Sequence, residues 1–88
     1  MSNKNTLIVY YREGCHLCEQ MTATLYEQQQ QYPQLNIKIE IIDIDDDPAL
    51  REKYNVDVPV VMYQGEVAFY HFFDKDEFER ILTTMKSI

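Results

Sequence analysis

Thr6 to Tyr11 (TLIVYY) form an unbroken run of aliphatic, β-branched and aromatic residues. A run with no polar side offers nothing to water on either face, so it predicts a strand inside a sheet that is covered above and below. Arg12, Glu13 and Gly14 interrupt it, and from Cys15 onward Cys18, Met21 and Leu25 recur at i, i+3 and i+7, one stripe of an α-helix. Pro33 cannot continue that helix, which is therefore predicted to end near Tyr32, with Gln28 to Gln31 as solvated helix surface.

Ile37, Ile39 and Ile41 alternate with Lys38 and Glu40, the period of a second strand ending near Asp43. The acidic run Asp45 to Asp47 then meets Pro48; an Asp acceptor before a Pro predicts the start of a short helix, Ala49 to Tyr54. A calcium loop counted from Asp43 would place Pro48 where the turn needs Gly and Tyr54 where it needs Glu, so the run is read as a helix start. Val58 to Tyr63 and Val67 to Phe72 flank Gln64-Gly65-Glu66 and predict a hairpin. Asp74 with Glu77 resembles a capping box, and Phe78, Ile81, Leu82 and Met85 line one face of a last helix.

The predicted order is β-α-β-α-β-β-α. A strand, crossover helix and second strand of these lengths form a right-handed parallel unit, to which the hairpin adds antiparallel. The fold class is thus α/β, a four-stranded mixed sheet flanked by helices. No repeat or linker interrupts the 88 residues, read as one domain, residues 1–88. At this size folding buries only about 60 to 65% of the unfolded surface, so core substitutions are expected to be felt strongly.

Eight Lys and Arg against fifteen Asp and Glu give a net charge of −7, the wrong sign for neutralising phosphates or docking on anionic lipid. Nucleic acid and membrane are not expected as partners. The six residues TLIVYY after the polar MSNKN are too few for a secretory signal, and a cytoplasmic location is expected. Two cysteines in such a compartment point to redox or metal chemistry rather than a staple.

Cys15-His16-Leu17-Cys18 sits where the first strand passes into the first helix, with Gly14 making the turn. Cysteines three apart on a helical turn have α-carbons roughly 5 to 6 Å apart, a separation that a disulfide accepts. Unpaired N–H groups and the positive end of the dipole favour a thiolate at Cys15, the expected nucleophile, with its pKa below the ordinary thiol range. Cys18 lies deeper on the apolar stripe and is the expected resolving thiol. A structural zinc needs four ligands; only His16 and His71 remain to join the two thiols, and His16, lying between the cysteines, is badly placed to share their metal, which leaves three ligands at most. Both thiols as small buried apolar residues is the plainer alternative.

With Tyr11-Arg12-Glu13-Gly14-Cys15-His16-Leu17-Cys18 after a strand, an acidic bend, and Asp57-Val58-Pro59 before another strand, the chain resembles the glutaredoxins, within the thioredoxin fold, over nearly its whole length. It is most similar to small bacterial glutaredoxin-like proteins. The resemblance implies a disulfide reductase whose Val58-Pro59 bond is cis and faces the dithiol, leaving the Val58 backbone to pair with substrate. Read from residues alone, Pro59 is a trans proline opening an edge strand. Arg12 matches the glutaredoxin position that holds a glutathione carboxylate, and its planar donors suit a bidentate pair; an exposed Arg at a strand end is the alternative. The family also places Thr before Val-Pro and Gly-Gly before the last helix, where this chain has Asp57 and Phe72-Phe73. The bulky pair obstructs a close backbone approach, although the helix start at Asp74 and Lys75 still offers a carboxylate site. A protonated His16 would stabilise the thiolate and make the pair more oxidising; an exposed spacer is the other reading.

Tyr70 to Phe73 are read mainly as a strand with one face on the core, with an aromatic contact patch as the alternative. Glu13 is read as an exposed turn residue rather than a proton relay. The leading function is a monomeric thiol–disulfide oxidoreductase acting on disulfide-containing proteins or glutathione, without a tightly bound cofactor, recycled by a thiol or a reductase. Glutathione enters as a possible co-substrate. The competing readings are a metal or iron–sulfur carrier using the same cysteines and a thioredoxin-fold adaptor with silent thiols.

Overall fold

The computed structural model describes residues 4–87. Its strands are β1 (Thr6–Tyr11), β2 (Lys38–Asp43), β3 (Val60–Tyr63) and β4 (Glu66–Tyr70), and its helices α1 (His16–Gln31), α2 (Pro48–Tyr54) and α3 (Lys75–Lys86). The order is the predicted β-α-β-α-β-β-α, and the four strands lie in the order β2-β1-β3-β4. β1 is an inner strand, parallel to β2 with Val9 opposite Ile41 and antiparallel to β3 with Val9 opposite Val61.

One face of β1 is buried more fully than the other. Leu7 and Val9 are inaccessible and join Met21 and Leu25 of α1 and Phe78, Ile81, Leu82 and Met85 of α3 in the main core. Ile8 and Tyr10, on the opposite face, keep part of their surface. On that side the seven-residue α2 contributes Tyr54, which stacks on Tyr10 at 5.0 Å between ring centroids. The expectation of a strand covered on both faces thus holds completely for one face and in part for the other. Among the described residues no helix is long and apolar enough to cross a membrane.

Helix ends follow the residues that punctuate them. α1 stops before Tyr32, whose N–H bonds back to the Gln28 and Gln29 carbonyls, and Pro33 opens a separate 3₁₀ turn. Gln29 is more than solvated surface: its side-chain amide donates to the Ile37 carbonyl at 2.7 Å and ties α1 to the start of β2. Asp47 caps α2 by accepting from Ala49 and Leu50 N–H, with Pro48 as the first helical residue. Asp43 accepts from Asp45 N–H, and Asp45 pairs with Arg12, so the acidic stretch is spent on turns and an ion pair.

β3 and β4 are shorter than the sequence pattern. β3 begins at Val60, after Pro59, which has no N–H to place in a ladder. β4 ends at Tyr70 because His71 turns into the left-handed region, φ 68°, and its N–H bonds to the Pro59 carbonyl. The Phe72 N–H closes a tight turn onto the Tyr70 carbonyl. Only half of the proposed capping box forms at α3: Asp74 Oδ1 accepts from Glu77 N–H at 3.0 Å, while the Glu77 carboxylate turns to Arg80.

Candidate functional site

The feature with chemistry in it stands at the start of α1. Gly14 takes φ 78°, and an added Cβ would meet no atom there; the conformation itself is what calls for glycine. Cys15 is the N-cap residue of α1, and its Sγ accepts from Cys18 N–H at 3.1 Å. The two sulfurs are at disulfide distance, with α-carbons 5.2 Å apart, inside the range expected from the spacing. Their surroundings differ: Cys18 is buried on the stripe with Met21 and Leu25, whereas Cys15 is half-buried and faces the helix start. The less buried of the two cysteines is therefore also the one at the helix start, beside the positive dipole end.

The residues around the pair fall into three groups. His16 and Glu13 are exposed. Arg12 reaches sideways, with Nε on Asp45 Oδ2 at 3.1 Å and Nη1 on the Asn55 side-chain oxygen, on the rim of an open hollow of about 610 Å³ shared with Pro48, Arg51 and Glu52. Val58 is half-buried and Pro59 buried, and the Val58–Pro59 bond is cis, as the family resemblance implied and contrary to the reading of Pro59 from the residues alone.

The third group closes the site on the side of α3. Phe72 and Phe73 part company: Phe73 turns inward between Phe69 and Phe78, while Phe72 projects into solvent. Phe72 and Leu17, from between the cysteines, line one small hollow of about 90 Å³ together with His71. Asp74 is exposed at the start of α3 and borders a larger open hollow of about 640 Å³ with Phe72, Phe73 and Lys75. Nothing in the local sequence marks His71 as a joint: it is a histidine beside two phenylalanines at the end of a strand pattern, and its ring and backbone meet the carbonyls of Val56 and Pro59, distant in sequence. Among the described residues no three His, Cys, Asp or Glu side chains gather as a metal-binding group.

Residues 6–83 match the family model described as Glutaredoxin-like domain (DUF836). The chain is 32% identical over 79 residues to "Glutaredoxin-like protein YDR286C homolog" from Dictyostelium discoideum, covering 86% of this chain and 73% of that protein. Among solved structures, protein Ne2328 from Nitrosomonas europaea superimposes with a TM-score of 0.73 at 36% identity, covering 85% of this chain and 87% of that one. Fasciola hepatica thioredoxin, at 14% identity and a TM-score of 0.57 over 92% of this chain and 80% of its own, shares the fold alone. By sequence over most of its length and by its thioredoxin fold, with a C-x-x-C pair at disulfide distance, the chain belongs to the glutaredoxin-like domain family.

Proposed function

We propose that the chain is a thiol–disulfide oxidoreductase in which Cys15 is the nucleophile and Cys18 the resolving thiol. The observation that carries this reading is the unequal setting of two sulfurs within bonding reach: Cys15 half-open at the cap of α1, Cys18 buried behind it. In the reduced form the Cys15 thiolate attacks one sulfur of a substrate disulfide, and the other sulfur leaves as a thiolate that takes up a proton. The Cys18 thiol gives up its proton and attacks Cys15 Sγ, releasing the second substrate thiol and closing the Cys15–Cys18 disulfide. Two electrons have passed to the substrate, and two equivalents of a thiol such as glutathione, or one dithiol reductase, restore the pair.

Cys15 Sγ already accepts a backbone N–H, and the same N–H is available to a thiolate there. A thiolate accepts such a bond more strongly than a thiol does, so the helix start favours the charged, nucleophilic form of Cys15. The test is reduction of a glutathione mixed disulfide, coupled to glutathione reductase, and of a protein disulfide with a dithiol reductant. The Cys15→Ser variant is expected to lose turnover on both, and Cys18→Ser to accumulate a mixed disulfide detectable by mass. A fully active Cys15→Ser protein would remove the assignment.

A further inference from the structure

His71 is held where three parts of the chain meet. Its backbone N–H donates to the Pro59 carbonyl at 2.8 Å, and its ring Nε2 lies 3.0 Å from the Val56 carbonyl. A carbonyl only accepts, so Nε2 carries the proton in that bond. The ring packs edge-on against Tyr70, 4.9 Å between centroids, and against Phe72, 6.3 Å away. It also borders the hollow that contains Leu17, the residue before Cys18. Its backbone holds φ 68°, a conformation that costs a histidine more than a glycine.

The two aromatic side chains against this ring are left open by the fold, Phe72 at 67% exposure and Tyr70 at 53%, and Val56, whose carbonyl the ring meets, is itself 79% exposed. Phe72 and His71 share a hollow with Leu17, between the cysteines, and exposed apolar groups that gather next to such a hollow mark a binding surface rather than scatter. We propose that His71 is a positioning residue that fixes this rim next to the dithiol, and that the rim receives an apolar side chain of a polypeptide carrying the disulfide. The inference rests on the oxidoreductase reading and names its substrate class.

Charge argues for a polypeptide over glutathione. Asp57 lies on one segment that His71 joins, Asp74 and Asp76 stand beyond the other against Lys75, and the whole chain carries −7. Glutathione presents two carboxylates and no apolar side chain to this surface; a neutral or basic segment with a leucine or an aromatic residue presents what the rim lacks. The Pro59 end of the Val56 to Pro59 segment is held by the His71 backbone and by burial; without the ring's bond the Val56 end is the part left to be ordered on binding, which weakens capture of a large partner. A small disulfide that touches only the sulfurs is indifferent to that ordering.

The experiment mixes the fully reduced protein with insulin or with bis(2-hydroxyethyl) disulfide, and reads the remaining thiols by acid quench and alkylation, with a thermal melt to check folding. His71→Gly keeps the backbone bond and accepts the positive φ while deleting the ring. The rate constant with insulin is expected to fall about tenfold, the worth of roughly one net hydrogen bond, with the small disulfide unchanged within about twofold. His71→Gln, which returns a donor at the reach of Nε2, is expected to recover most of the loss; the chain already accommodates Gln64 at φ 51°. An equal fall on both disulfides, no fall on either, or no recovery with Gln would overturn the positioning role. A wild-type protein oxidised by neither disulfide would remove the oxidoreductase reading, and this inference with it.

Discussion

Asp74 offers a direct measure of how much one side chain contributes at the edge of the site. Its Oδ1 accepts from Glu77 N–H at 3.0 Å and caps a twelve-residue helix that supplies Phe78, Ile81, Leu82 and Met85 to the core. Asp74→Ala leaves that N–H to water, and loss of such a cap costs about 1 kcal/mol. Unfolding 88 residues carries an entropy of about 0.18 kcal/mol/K at the usual 2.1 cal/mol/K per residue, so the melting temperature should drop by about 5 °C. Asparagine caps about as well as aspartate, so Asp74→Asn should melt within about 2 °C of the wild type. Thermal unfolding followed by circular dichroism, with a urea titration on the same variants, reads both. A wild-type-like melt for Asp74→Ala would refute the cap as a stabilising contact. An equal loss in Asp74→Asn would show that charge near the helix start, not the hydrogen bond, is the operative interaction.

Three further outcomes are expected. Leu25, 1% exposed between α1 and the sheet, should cost about 3 kcal/mol on replacement by Ala, out of a total of about 4 to 13 for a chain of this size, and its urea midpoint should fall accordingly. Burial holds the Tyr63 phenol, which donates to the Lys4 carbonyl at 2.6 Å, above the ordinary tyrosine value. The folded state then binds this proton more tightly than the unfolded chain. The contribution is complete below about pH 10 and lost as pH rises through the folded value, so Tyr63→Phe should flatten the alkaline fall in stability. The half-exposed Arg12–Asp45 pair should contribute under about 1 kcal/mol, so Arg12→Ala should melt nearly as the wild type while raising KM for a glutathione mixed disulfide. An unchanged KM would leave Arg12 as a link to Asp45 and Asn55 and nothing more.

What the sequence determined by itself was local. The apolar run of β1, the stripe Cys18-Met21-Leu25, the Asp47-Pro48 start of α2 and the Asp74 cap of α3 each depend on residues a few positions apart, and each stands where the pattern placed it. The separation of the cysteines followed in the same way from the rise of one helical turn. Tertiary packing decided the rest, because it sets which surfaces are covered and where chain segments meet. The seven-residue α2 leaves one face of β1 partly open, an imbalance that the residues of β1 do not encode. Phe72 and Phe73 are adjacent and chemically identical, yet one faces solvent and the other fills the space between Phe69 and Phe78, a division made by the turn after β4 rather than by the two residues themselves. Arg12 meets Asp45 and Asn55, and His71 meets Val56 and Pro59, only once the sheet has brought distant segments together. The dithiol was legible because its chemistry sits within four residues, whereas its surroundings come from four separate stretches of chain that share no local pattern.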